Sequence, residues 1–132
     1  MRILIVSDSH GRNHHLSKVL DKVGDIDLFL HLGDLEGSED FINTFVNCRV
    51  EMISGNNDYF TEIPRERLIT VGNHTIFMTH GHQYGVYYDT EKDKINTFND
   101  RLNLISTFLE VILIPELLLE FPEVIVTIPL SE

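Results

Sequence analysis

Hydrophobic and polar positions along this chain fall into blocks that switch between strand and helix periods. Ile3-Leu4-Ile5-Val6 is a continuous apolar run, as in strands covered on both faces. Asn13 is placed to cap a helix whose apolar positions Leu16, Val19, Leu20 and Val23 recur at helical spacing before Gly24. Leu28 to Leu32 predicts a second buried strand. Ser38 then caps a second helix, with Glu39 and Asp40 in its first turn and Phe41, Ile42, Phe45 and Val46 as its inward stripe. Arg49 to Ile53 predicts a third strand. Strand, helix, strand, helix, strand implies right-handed crossovers and a sheet that is at least partly parallel.

The second half changes period. Arg67 to Val71 and His74 to Met78 flank Gly72-Asn73, the signal for a two-residue turn in an antiparallel hairpin. Ile95, Phe98, Leu102, Ile105 and Leu109 mark one face of a further helix. Val111 to Ile114 and Val124 to Ile128 read as short strands. With no linker, repeat or low-complexity tract, the expectation is one compact α/β domain over residues 1–132.

Composition narrows the function classes. The 132 residues carry 21 acids against 10 bases, a formal net charge of −11. Such a chain is not expected to hold a long nucleic acid or an anionic membrane by charge. The opening apolar run is too short for a signal-peptide core, and Pro115, Glu116 and Glu120 break the most apolar stretch below membrane-span length. Cys48 is the one cysteine, read as a buried structural thiol in a reducing compartment. The expected location is therefore cytoplasmic.

Chemistry concentrates where strands end. The first strand runs into Ser7-Asp8-Ser9-His10, the second into Gly33-Asp34, and the third into Ser54-Gly55-Asn56-Asn57-Asp58. The hairpin's return strand runs into Thr79-His80-Gly81-His82. Ligands of open α/β sheets sit beyond the carboxyl ends of the strands, so these loops should converge. Each has an ordinary reading alone, Asp8 as a helix cap or Gly33-Asp34 as a turn. Together they offer mixed carboxylate and imidazole donors, the set that manganese, iron, zinc or nickel accepts. Without a cysteine among them, a closed structural zinc site is not expected.

In this order, Asp8-x-His10, Gly33-Asp34, Gly55-Asn56-x-Asp58 and His80-Gly81-His82 resemble the calcineurin-like metallophosphoesterases, in particular their small bacterial and archaeal phosphodiesterases. Gly72-Asn73-His74 mimics one family motif but lies at the hairpin turn. The resemblance implies a four-layer αββα sandwich, two mixed sheets flanked by helices. It implies two divalent ions, manganese first, with nickel, iron or zinc as alternatives. Asp8, His10 and Asp34 would bind one ion, Asp34 would bridge, and Asn56 and His80 would hold the second. A hydroxide shared by the ions would attack a phosphodiester, with His82 beside the site as a contact either to the substrate or to the metal ligands. Asn57 stands where the broader family has a histidine that assists the leaving group, so good leaving groups are favoured.

The resemblance also implies a later Gly-His-x-His loop, yet no histidine follows His82. The sequence resumes in register after residue 113, which suggests that a loop has been left out there. The competing reading is a family-fold interaction module with a degenerate site, as in a scaffold subunit of the retromer coat. A phosphomonoesterase is a third. The expected partner is a small phosphate ester. Tyr59, Phe60, Tyr84, Tyr87 and Tyr88 could line its pocket, and Tyr84 to Tyr88 could serve a homo-oligomer.

Overall fold

A computed structural model describes residues 1–82 and the strands 111–113 and 123–127. The order is β1 (Arg2–Val6), α1 (Asn13–Val23), β2 (Leu28–His31), α2 (Glu39–Phe45), β3 (Arg49–Met52), β4 (Glu66–Val71), β5 (His74–Thr79), β6 (Val111–Leu113) and β7 (Glu123–Thr127). Two sheets result, ordered β3-β2-β1-β7 and β4-β5-β6. β1, β2 and β3 are mutually parallel, while β7 joins β1 antiparallel. In the second sheet β4 and β5 form the antiparallel hairpin, with Val71 opposite His74 across Gly72-Asn73, and β6 lies parallel to β5.

The apolar runs explain the layering. Side chains alternate across a strand. Ile3, Ile5, Leu28 and Leu30 therefore face Ile69, Val71, Ile76 and Met78, and this buried cluster joins the sheets face to face. Leu4, Val6 and Phe29 point the other way, onto Leu16 and Val23 of α1 and Ile42 of α2. The described residues thus supply helix, sheet and sheet. The predicted helix through Ile95 and Leu109 lies outside them.

Four local expectations need correction. Asn13 is the first helical residue of α1 rather than its cap; Arg12 occupies the cap position with no side-chain capping bond. Ser38 holds the cap position of α2 without capping it. Its buried hydroxyl instead accepts a hydrogen bond from Ser9 Oγ at 3.0 Å, tying α2 to the loop after β1. Phe45 is not part of the inward stripe: it ends a seven-residue helix and is 62% exposed, its ring packed on Phe41. Cys48 is part-buried rather than buried, and burial, aided by Asp27, pushes its thiol upward.

Candidate metal centre

The parallel order of β1, β2 and β3 sends three loops off the same edge. Backbone pairing continues past the strand ends. Asp8 N–H donates to the Gly33 carbonyl at 2.9 Å, His10 N–H to Asp34 at 3.0 Å, and Gly11 N–H to Leu35 at 2.9 Å. The Leu32–Glu36 loop is the hub. Asp58 Oδ2 accepts from Leu35 N–H (3.1 Å) and Gly55 N–H (2.8 Å), and its Oδ1 accepts from Glu36 N–H (2.7 Å). One carboxylate thereby staples the third loop to the second. The fourth is joined by His80, whose Nδ1 lies 2.8 Å from the Leu32 carbonyl.

This lattice forces unusual backbone. Asp8, His10, Asp34 and Glu36 all have positive φ, between 45° and 58°. Left-handed conformations of such residues cost about 1 kcal/mol or more each and persist only when their surroundings over-determine them. Two glycines let the loops approach. A Cβ on Gly33 would lie 2.7 Å from His80 Nδ1, and one on Gly55 would lie 2.6 Å from the Asp34 backbone nitrogen.

Asp8, Asp34 and His80 then place one ligand atom each within 4.8 Å of one another. Asp34 and His80 are buried, whereas Asp8 stands exposed at the mouth. A carbonyl only accepts, so His80 Nδ1 carries the proton that bonds Leu32, and in the metal-binding form of the ring Nε2 is the atom that offers a lone pair. That lone pair faces Asp34 Oδ2 at 3.5 Å. His10 repeats the pattern, with Nδ1 3.2 Å from Glu36 Oε2 and Nε2 directed at Asp8 Oδ1 (3.6 Å) and Asp34 Oδ2 (4.0 Å). Asp34 Oδ2 therefore sits between two imidazoles, each backed by an oxygen at its other nitrogen. Histidines that hold metals are oriented in this way. A pair of carboxylates and two imidazoles suits a divalent transition metal.

The carboxylates are electrostatically distinct. Partial desolvation of the Asp8 carboxyl by the surrounding loops pushes it above the usual carboxylate range, with Asp34 adding to it and a Ser7 hydrogen bond and His80 opposing. Burial acts on Asp34 in the same direction. There it is outweighed by two hydrogen bonds from Asn57, backbone N–H to Oδ1 (2.9 Å) and Nδ2–H to Oδ2 (3.0 Å), and by His80. Asp34 is held below its ordinary range, an ionised acceptor. Asn57 thus lies on Asp34, and Asn56 is exposed at the adjacent turn. His82 packs edge-on to His80 with ring centres 5.7 Å apart. Burial, then the field of His80 and Arg65, pushes its imidazole down.

Sequence reasoning assigned no role to Asp58, Glu36 or His31. His31 is fully buried; Gly33 N–H donates to its Nδ1 (3.1 Å), so its Nε2–H donates to Ser9 Oγ (2.9 Å). A histidine inside an apolar strand beside a ligand loop was the available signal. Nothing in the sequence marks Glu36 as the residue behind His10. Tyr59 and Phe60 are exposed, at 74% and 109%.

The family model of the calcineurin-like phosphoesterase superfamily domain matches residues 1–104. The chain belongs to that superfamily. It is 32% identical over 102 residues to the probable metallophosphoesterase YsnB of Bacillus subtilis, covering 70% of this chain and 57% of that protein. It is 33% identical over 89 residues to a probable metallophosphoesterase of Methanothermobacter thermautotrophicus, covering 64% of the chain and 52% of that protein. The phosphoesterase-superfamily chain thus spans little more than half the length of these relatives. Its fold matches a predicted phosphoesterase from Streptococcus pneumoniae, with 23% identity, TM-score 0.60, 86% of this chain and 60% of that one. It also matches an archaeal phosphodiesterase, with 20% identity, TM-score 0.60, 85% and 70%. Zinc-complexed Vps29 of Entamoeba histolytica matches with 21% identity, TM-score 0.59, 86% and 63%.

Proposed function

We propose that the chain carries a metal-dependent phosphoesterase centre that hydrolyses phosphodiester bonds in small esters. The observation that supports it is Asp34 Oδ2 between two imidazole Nε2 atoms, with Asp8 completing the donor set. Asp8, His10 and Asp34 would hold one divalent ion, manganese first. Asp34 would be shared with a second ion, held by His80 and the Asn56 side-chain carbonyl. Bound ions supply Lewis-acid polarisation of phosphoryl oxygens and lower the pKa of water from ~16 toward ~7.

The chain's own residues fix the rest. Asn57 keeps the Asp34 carboxylate ionised and oriented through its two hydrogen bonds. With no proton to give, Asn57 leaves the departing oxygen unassisted, so esters with stable leaving groups react first. His82, kept neutral by burial beside His80, is the proposed ester contact.

Hydrolysis of bis(p-nitrophenyl) phosphate with added Mn²⁺ or Ni²⁺ tests this reading. Asp34→Asn should lower the rate at least a hundredfold. No turnover with any divalent metal, and no difference in D34N, would sink it. A non-catalytic interaction module is the second reading, favoured by the absence of any histidine after His82 and by the Vps29 fold match. Turnover measured on metal-loaded protein separates them: hydrolysis by chains holding about two ions supports the enzyme, and loaded chains without hydrolysis, or chains that take up no ion, support the module.

A further inference from the structure

A groove of about 400 Å³ opens beside Asp8, between the loop after β1 and the first turns of α1. That volume lies within the range of small-ligand sites, roughly 300–1,000 Å³. Its floor is apolar, formed by Val6, Leu16 and Val19, and its rim carries Arg12, His15 and Lys18. Asp8 is the one acid lining it, so the groove and the candidate metal centre meet at that carboxylate.

The charge pattern here runs against the rest of the chain. The protein has 21 acids for 10 bases, and elsewhere Arg49 and Arg67 both pair with Glu51. Arg12 and Lys18 have no carboxylate within ion-pair reach among the described residues, and both are exposed. Arg12 lies at the cap position of α1 and Lys18 in its second turn, and both line the same groove. His14, slight desolvation, Arg12 and Lys18 together hold the His15 imidazole below its ordinary range, which marks the positive field at that spot. A neutral His15 still donates or accepts a hydrogen bond. An arginine and a lysine around a hydrogen-bonding histidine form a receptor for a phosphate group.

Resting on the phosphoesterase reading above, we infer that this groove is a second phosphate subsite and that the substrate is an ester bearing two phosphates. One phosphate lies at the metal centre and reacts. The other is held by Arg12 and Lys18, while the organic group between them covers the apolar floor. The bond broken remains the P–O bond at the centre; the second phosphate supplies binding and register only.

Two measurements decide the matter. The first titrates inorganic phosphate into protein kept in chelator, following the backbone amides of residues 12–18 by NMR. Saturable shifts are expected there, weakened at least tenfold in R12Q/K18Q, retained in R12K/K18R, and reduced at 1 M salt, where the Debye length is about 3 Å. Shifts that are absent, or that persist unchanged in R12Q/K18Q, overturn the subsite. The second compares kcat/KM with Mn²⁺ for the p-nitrophenyl ester of thymidine 5′-phosphate with and without a 3′-phosphate. About a tenfold preference for the doubly phosphorylated ester is expected, carried by KM and abolished in R12Q/K18Q. Equal kcat/KM for the two esters overturns the substrate class. Saturable phosphate binding without hydrolysis of either ester overturns the phosphoesterase reading, and the substrate class with it, while the anion site stands.

Discussion

His31 shows how far one buried side chain can set the behaviour of its surroundings. Burial lowers its pKa to about 3, against the weaker pull of Asp58, and the Gly33 N–H pointing at Nδ1 leaves no room for a second ring proton. The unfolded chain takes up that proton near pH 6.5, so between pH 6.5 and about 3 the unfolded state binds more protons than the native one. The contribution is intact above pH 6.5 and is lost progressively as pH falls, at about 1.4 kcal/mol per pH unit. Urea denaturation at pH 7 and pH 5 should show wild type losing about 2 kcal/mol. Replacing the ring with H31Q should flatten that slope; equal slopes in both proteins would refute the assignment. The ligand types were legible as residues, because Asp and His at strand ends are visible in any sequence. Their presentation was not. The proton on His80 Nδ1 is fixed by a carbonyl 48 positions away, and Glu36 meets His10 where both residues have left-handed backbone.

Elements were legible where periodicity alone decides them. β1 and β2 followed from unbroken apolar runs, and the β4–β5 hairpin from Gly72-Asn73. Helix starts were not, because capping competes with tertiary demands. The Ser38 hydroxyl bonds Ser9 instead of its own helix, and Asn13 enters α1 with Oδ1 buried and lacking a hydrogen-bond partner. Strand-end glycines were recognised as turns, yet their main restriction is contact. Gly55 meets the Asp34 backbone, which cannot swing aside as a flexible side chain could. Gly55→Ala should therefore cost about 1–3 kcal/mol of stability. It should also weaken Mn²⁺ binding by tenfold or more, because the hub loop has to shift. Isothermal titration beside thermal melting reads both, and unimpaired binding would show that the loops yield more easily than their packing suggests.

At the scale of the molecule, two sheets share one core while a hydrogen-bonded rim gathers four loops at one edge. The shared core cluster is wholly apolar, whereas the rim confines two carboxylates within reach of each other. A cation that binds this native cluster and not the unfolded chain adds stability by mass action, about 2.7 kcal/mol at a hundred times its Kd. The melting temperature should rise by several degrees with Mn²⁺ and should not respond in Asp34→Asn; an equal rise in both proteins would place the ion elsewhere. The left-handed turns carry a further consequence, a trade between durability and chemistry. Asp8 and His10 occupy backbone that glycine would adopt without penalty, and Asp8 is exposed, so it surrenders little packing when replaced. Selection of a library for heat resistance alone should enrich glycine at position 8, and those survivors should be the ones that have lost their ions. A thermostable pool that keeps Asp8 would mean the turn is less strained than its φ of 57° implies.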